Sequence, residues 1–179
     1  MGLLLRFCRL IDAINDRIGK LVYWLVLVAV FISAGNALMR YSLHISSNAW
    51  LELQWYLFSA IFLLCSGYTL LRNEHIRIDI VVSRFSKRTQ AWIDIFGTIF
   101  FLLPMAILIM VLSWPMFAES FISNEMSSDA GGLLRWPVKI LVPVGFFLLT
   151  IQAVSELIKR IAFLQGRIEA PAEQSPSHQ

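Results

Sequence analysis

The residues in this chain best suited to metal or haem chemistry are three histidines, His44, His75 and His178. A bis-histidine haem requires two imidazoles that face each other from adjacent helices. These histidines lie in three separate polar segments, so we expect no haem or metal site. The chain also contains no Ser/His/Asp arrangement, phosphate-binding glycine loop or C-x-x-C pair. The residue pattern therefore predicts neither an enzyme nor a cofactor-binding protein.

Ionisable residues beside long apolar runs are the second group of candidates, because a charge inside a membrane is costly and usually functional. Arg40 and Glu52 flank a short polar segment between two such runs. The favoured interpretation is an ion pair that joins two helices, and the alternatives are a proton or cation site or a contact with another chain. At the opposite ends of the runs, Asp94, Gln152 and Glu156 are expected to bind neighbouring helices.

A dense polar cluster, "RNEHIRID" at residues 72–79, separates two apolar runs. A basic loop needs only Lys and Arg, so its acids and alternating isoleucines require another explanation. We expect an extended turn that is followed by an amphipathic helix in the cytoplasmic interface. His75, Arg77 and Asp79 are predicted to brace this turn against the protein's own helices or against another protein.

Apolar helices are expected to hold these residues in place. The chain has 179 residues, of which 58% are hydrophobic and 15% charged, whereas soluble domains carry about 25% charged residues. The apolar residues form four runs, and about 20 helical residues cross a hydrocarbon core of about 30 Å. We therefore predict an all-α integral membrane protein with a transmembrane domain at 20–160. Its four spans are expected at about 20–41, 48–71, 90–114 and 136–159.

Aromatic residues and prolines mark features of these spans. Trp50 and Trp55 suit the aromatic belt at a membrane surface. Pro104 should kink the third span, because proline removes a helical hydrogen bond. Trp114 and Pro115 are expected at the outer end of that span.

Polar segments flank the four spans and predict their orientation. Residues 1–19 carry apolar and polar faces at helical spacing, which predicts an amphipathic helix in the cytoplasmic interface, and 161–179 are expected to be a disordered tail. Twelve Lys and Arg residues lie in the N-terminal segment, the 72–90 loop and the tail, against three elsewhere. This bias predicts cytoplasmic termini in a bacterial inner membrane. It also accounts for the net positive charge without a nucleic-acid partner.

Four stretches together resemble a known family. They are "NALMRY" (36–41), "WLELQWYLFSAIFLLCSGYTLLRNEHIRIDI" (50–80), "SWPMFAESF" (113–121) and "SSDAGGLLRWPVKILVPVGFFLLTIQAVSELIKR" (127–160). In order, spacing and topology the chain resembles the small four-span membrane subunit, the DctQ type, of tripartite ATP-independent periplasmic (TRAP) transporters. The most specific stretch is the second, in which a span opened by Trp and Glu closes in His-Ile-Arg-Ile-Asp.

The resemblance implies a function that depends on partners and on membrane lipid. Such a subunit scaffolds a large multi-span permease subunit, which carries the substrate and Na⁺ sites and moves as an elevator. A periplasmic binding protein delivers the substrate, here expected to be an organic acid. Glu119, Glu125 and Asp129, in the outer loop region, become candidates for docking that binding protein. The remaining residues named above, such as Arg40 and Trp50, are expected to make contacts between helices or with a partner subunit.

Two alternatives stay open beside this interpretation. A stand-alone carrier of the small multidrug type needs a carboxylate in the middle of its first span, and residues 21–39 contain none. A membrane anchor of a quinone- or haem-linked oxidoreductase is disfavoured by the positions of the histidines. Gradient-driven uptake by the purified chain would support the first alternative, and a Soret band the second.

Overall fold

The computed structural model describes residues 2–44, 47–73 and 85–167, without the side chain of Leu3. Within these ranges the chain forms six α-helices and one π-helical segment. They are α1 (Gly2–Leu43), α2 (Asn48–Arg72), α3 (Lys87–Gly97), the π segment (Thr98–Leu102), α4 (Leu103–Ile122), α5 (Trp136–Lys139) and α6 (Leu141–Leu164).

Four stretches of helix are long and apolar enough to cross a membrane, which confirms the predicted all-α architecture. They are Leu4–Leu43, Asn48–Arg72, Lys87–Ile122 and Trp136–Leu164. The orientation of the termini stays a prediction. The turn expected to contain His75, Arg77 and Asp79, the amphipathic helix expected after it, and the tail from residue 168 lie outside the described residues.

Helix α6 is the centre of the packing. It contacts α1, α2, α3 and α4, and α1 also packs along α2. Leu148, Leu149 and Ala153 are buried on α6, whereas large apolar side chains such as Phe31 on α1 and Phe62 on α2 are exposed. Extensive exposed apolar faces are typical of surfaces that contact a bilayer or another protein.

Helix α1 continues for 42 residues without a break, which corresponds to about 63 Å at 1.5 Å per residue. Its buried residues include Cys8, Asn15, Val22 and Ala29. They recur every seven residues. This interval is typical of a helix that keeps the same face against a neighbouring helix along its length.

The first part of α1 differs in one respect from the helix expected at 1–19. Its apolar side chains Phe7 and Leu10 are exposed and remain available to lipid. Part of its polar side faces another helix, because Asn15 is fully buried and bonds to Gln152 on α6, whereas Arg6 and Arg9 are exposed. The predicted location of this segment at the membrane surface stays a prediction.

The third apolar stretch contains both prolines and is irregular near the first. The Leu103 N–H bonds to the Thr98 carbonyl, which closes a wider π turn just before Pro104. A π turn of this kind shifts the hydrogen-bond register where proline cannot donate. The helix end predicted at Trp114 and Pro115 is wrong, because α4 continues to Ile122. Packing against a neighbouring helix allows a helix to tolerate such a proline, and α4 packs on α6.

Two glycines permit close contact between α6, α2 and α1. A Cβ atom at Gly145 would lie 2.7 Å from the Leu63 carbonyl oxygen, and one at Gly67 would overlap the Asn15 amide. Small residues that let backbones approach are a common basis of helix association in membranes.

The substitution Gly145→Ala should therefore lower the thermal unfolding midpoint of the purified protein in detergent, since overpacking costs about 1–3 kcal/mol. Gly35→Ala is the matched control, because a Cβ at Gly35 meets nothing within 4 Å. It should be neutral or stabilising, since Ala is favoured over Gly in helices by about 1 kcal/mol. Equal midpoints for the two variants would contradict the close α2–α6 contact.

Candidate functional site

Polar side chains gather at two opposite ends of the long helices. We call the end that holds the first part of α1 and the last part of α6 the termini end. The end that holds the segment 123–135 and the start of α2 is the loop end.

Gln152 is the hub of the termini end. This side chain on α6 is fully buried. Its Oε1 accepts a hydrogen bond from Asn15 Nδ2 at 2.9 Å, and its Nε2 donates to Asp12 Oδ1 at 2.8 Å and to Glu156 Oε1 at 3.3 Å. One amide thus binds α6 to two successive turns of α1 and to the next turn of its own helix.

Asp12 on α1 brings a carboxylate into the same cluster. It accepts a hydrogen bond from Ser155 Oγ at 3.0 Å and pairs with Lys159 Nζ at 3.1 Å. Lys159 also pairs with Glu156 at 2.5 Å, so one ammonium group lies between two carboxylates. These three charged side chains are only 17–24% exposed, and charges largely removed from water need such partners, because unpaired ones are strongly destabilising. We call Asp12, Asn15, Gln152, Ser155, Glu156 and Lys159 the α1–α6 network.

Two further ion pairs join helices at the termini end. Arg72, in the last turn of α2, pairs with Asp16 of α1 at 2.6 Å and lies over the Tyr68 ring. Arg160 of α6 pairs with Asp94 of α3 at 2.9 Å. Each of the four membrane-spanning stretches therefore has a polar connection to another helix at this end.

At the loop end, Glu52 is the central residue. It lies in the first turns of α2 and is only 6% exposed. Its Oε2 accepts a hydrogen bond from the Leu133 N–H at 2.7 Å, and its Oε1 accepts one from the Ser127 hydroxyl. Hydrogen bonds to a charged acceptor are about twice as strong as neutral ones, so this carboxylate fastens the segment 123–135 onto α2.

The segment 123–135 is itself folded back in a hairpin-like turn. The Ser127 N–H bonds to the Leu133 carbonyl at 3.0 Å, and Met126 and Leu134 form an antiparallel bridge. The turn contains Gly131 at φ +73°, a conformation that favours glycine. Backbone groups of the segment are thereby directed towards α2.

Two other side chains of α2 hold this segment. Asn48 Nδ2 donates to the Ala130 carbonyl at 3.1 Å, and the Tyr56 hydroxyl donates to the Leu134 carbonyl at 2.9 Å. The contacts of Glu52 thus belong to a stripe of three hydrogen-bonding side chains along the start of α2.

Glu125 is committed to pairs within the loop end. It pairs with Lys139 of α5 and lies 3.8 Å from Arg135. The hydrogen bond from the Lys139 ammonium group lowers the pKa of Glu125 from its ordinary value of 4.5. The carboxylate is therefore ionised at neutral pH. Glu119 and Asp129, the other docking candidates, are exposed.

The ion pair predicted between Arg40 and Glu52 is wrong. Arg40 is exposed near the end of α1, and no ion pair joins these two residues in the part of the chain that the structure describes. Donors of the segment 123–135 reach the Glu52 carboxylate instead. The two aromatic candidates, Trp50 and Trp55, are exposed by 50% and 68%.

Sequence reasoning missed two features of these sites. The polar face predicted for residues 1–19 includes Asp12 and Asn15, although the recurrence of Cys8, Asn15, Val22 and Ala29 at seven-residue intervals is a signal of a packed face. The pairing of Glu52 with Ser127 and the Leu133 backbone had no sequence signal, because it depends on how an irregular segment folds.

A metal-binding group of three or more His, Cys, Asp or Glu side chains does not occur within 2–44, 47–73 or 85–167. The arrangement at both ends joins helices to one another and offers no cluster of unsatisfied acids.

A family model matches the chain. The model described as "Tripartite ATP-independent periplasmic transporters, DctQ component" covers residues 29–163, which is well over half of the chain. The curated proteins and the solved structures contain no significant match. The matched range contains Glu52, the segment 123–135 and Gln152. It begins after Asp12 and Asn15, the α1 partners of Gln152.

The α1–α6 network predicts that Gln152→Leu destabilises the fold. It leaves the fully buried Asn15 amide short of a partner, which costs about 1–3 kcal/mol, and it removes one donor to the partly buried Asp12. Gln165→Leu, at an exposed position after α6, is the matched control. Thermal unfolding in detergent should separate the two variants, and a Gln152→Leu midpoint equal to that of the control would contradict the role of the network.

The loop end predicts that Glu52→Gln loosens the segment 123–135. In the glutamine variant an NH₂ group would face a donor, either the Ser127 hydroxyl or the Leu133 N–H, so one hydrogen bond is lost. Hydrogen bonds to charged groups contribute about 1.5–3 kcal/mol to stability. Amide hydrogen exchange, measured by mass spectrometry in lipid nanodiscs, should be faster at 123–135. Glu119→Gln should leave exchange unchanged, and wild-type exchange in Glu52→Gln would disprove the fastening role.

Proposed function

Because the chain belongs to the DctQ component family of tripartite ATP-independent periplasmic transporters, we propose that it is the small permease subunit of such a transporter. In this role it is a static scaffold against which a large multi-span subunit moves. The family match over residues 29–163 is the observation that carries the proposal.

The contacts of the described residues support a static role. A scaffold must keep its shape while its partner moves, and polar groups tie the helices at both ends. At the termini end the α1–α6 network joins two helices, and at the loop end Glu52 joins α2 to the segment 123–135. Moving one helix against another would break several of these hydrogen bonds at the same time. We therefore expect the helices to move as one body.

The exposed surfaces support a function in a complex within the membrane. Large apolar side chains remain exposed along α1, α2 and α4, for example Trp24, Phe62 and Leu112. We propose that part of this area contacts the large subunit and the remainder contacts lipid. Trp50 and Trp55, exposed at the loop end, are among the proposed contacts.

The proposal extends to the transport reaction. The large subunit would hold the substrate, an organic acid, together with the coupling Na⁺, so that the present chain needs neither a cofactor nor an enzymatic activity. A periplasmic binding protein would deliver the acid. Glu119 and Asp129 are the better candidates for docking it, because Glu125 is already paired with Lys139.

The proposed location is the bacterial inner membrane with both termini in the cytoplasm. The uneven distribution of Lys and Arg supports this orientation. It would place the termini end in the cytoplasm and the loop end on the periplasmic side, where a binding protein docks.

Purification from the native host in mild detergent tests the proposal. A tagged copy of the chain should co-elute with a large multi-span protein in a single gel-filtration peak. In liposomes, uptake of an organic acid should require that protein and a binding protein, and the chain alone should give none. Gradient-driven uptake by the chain alone, or a Soret band in the purified sample, would overturn the proposal.

A further inference from the structure

A groove opens between α1 and the start of α2. Its cavity volume is about 380 Å³, within the range of about 300–1,000 Å³ that is typical of small-molecule sites. Its walls are mostly apolar. They are formed by Phe31, Ile32, Gly35, Asn36, Met39, Ser47 and Trp50.

Along the α1 wall of this groove the side chains change from apolar to polar in the direction of the loop end, and the charged Arg40, which is not part of the lining, follows. Phe31 and Ile32 come first, Asn36 follows one turn later, and Arg40 follows one turn after that. At 1.5 Å per residue, Asn36 and Arg40 are about 6 Å apart along the axis, and their i, i+4 spacing places them on one side of α1.

Both polar groups at this side of α1 lack partners within the described residues. Arg40 is exposed and makes no ion pair there, and the Asn36 amide makes no hydrogen bond there. Polar groups at membrane depth without a partner are costly. An acceptor from outside the chain would satisfy both.

We propose that this groove binds one phospholipid. A phospholipid has the same order of groups as the groove: an anionic phosphate, then ester carbonyls, then an acyl chain. The phosphate accepts charged hydrogen bonds from the Arg40 guanidinium, whose planar fork matches phosphate oxygens. The Asn36 amide donates to an ester carbonyl.

The acyl chain lies in the apolar part of the groove. It covers Phe31 and the open position beside Gly35, where a Cβ would meet nothing within 4 Å. The proposed lipid fills a space between α1 and α2 that side chains leave empty. It is independent of the transport function proposed above, because it uses only groups of this chain.

Native mass spectrometry of the full chain in mild detergent tests the proposal, with phosphatidylglycerol, phosphatidylethanolamine and diacylglycerol as probes. The two phospholipids should bind with one-to-one stoichiometry and about tenfold or more tightly than diacylglycerol, which lacks the phosphate. Arg40→Gln should abolish this preference, and Arg40→Lys should retain part of it. Arg9→Gln, an exposed arginine at the termini end, should behave as wild type.

A second variant fills the groove itself. Gly35→Leu should block all three lipids, whereas Gly97→Leu, which also meets no neighbours, should not. A variant counts as folded when its gel-filtration elution and its unfolding midpoint equal those of the wild type. If Gly35→Leu is not folded, the loss or retention of the phospholipid preference in Arg40→Gln decides whether the proposal holds.

Three results would overturn the proposal. They are equal binding of diacylglycerol and phospholipid by the wild-type chain, an unchanged preference in Arg40→Gln, and lipid binding by folded Gly35→Leu. A photo-crosslinker at Met39 that labels a protein in the native membrane and no lipid would also overturn it, and would assign the groove to a partner helix.

Discussion

The position of α1 depends on hydrogen bonds that the Gln152 amide makes to Asn15 and Asp12. Most large apolar side chains of α1 point away from the other helices, so few of them hold it in place. Within a membrane, apolar contact gives little driving force for helix association, because lipid tails are as apolar as Leu side chains. Polar groups and close backbone packing have to supply it. The α1–α6 network supplies the first, and glycines such as Gly67 supply the second.

The loop end applies the same physical principle to an irregular segment. A backbone that is not helical has N–H and C=O groups that need partners, and Glu52, Asn48 and Tyr56 of α2 provide several of them. The segment 123–135 is thereby held on α2. With both ends fastened, relative movement of the helices would break several hydrogen bonds together, which is the property that a scaffold for a moving partner requires.

The sequence was most informative where long runs of one residue class decide the outcome. The four apolar stretches and the all-α class follow from composition and length alone. Helix limits were less predictable. Pro115 favours the end of a helix, but α4 packs on α6 and continues through this proline to Ile122. Single polar residues were the least predictable. Asn15 lies on the polar face predicted for residues 1–19, and it is buried because Gln152 lies opposite.

Glu52 and Arg40 illustrate this limit. Glu52 was recognised as a candidate because it begins an apolar run, but its partner was assigned to Arg40. Its actual partners are a serine hydroxyl and a backbone N–H of the segment 123–135, and backbone donors have no signature in a sequence. Arg40 makes no ion pair within the described residues, and this makes the groove beside it a candidate lipid site.

The α1–α6 network is proposed to make the helices one rigid body, and pulsed electron paramagnetic resonance can measure this rigidity. Spin labels at Leu10 on α1 and Phe147 on α6, both exposed, would report the distance between the helices in lipid nanodiscs. A rigid body should give one narrow distance distribution that broadens in Gln152→Leu. A broad or bimodal distribution in the otherwise unaltered chain, or no change in Gln152→Leu, would disprove the rigid coupling.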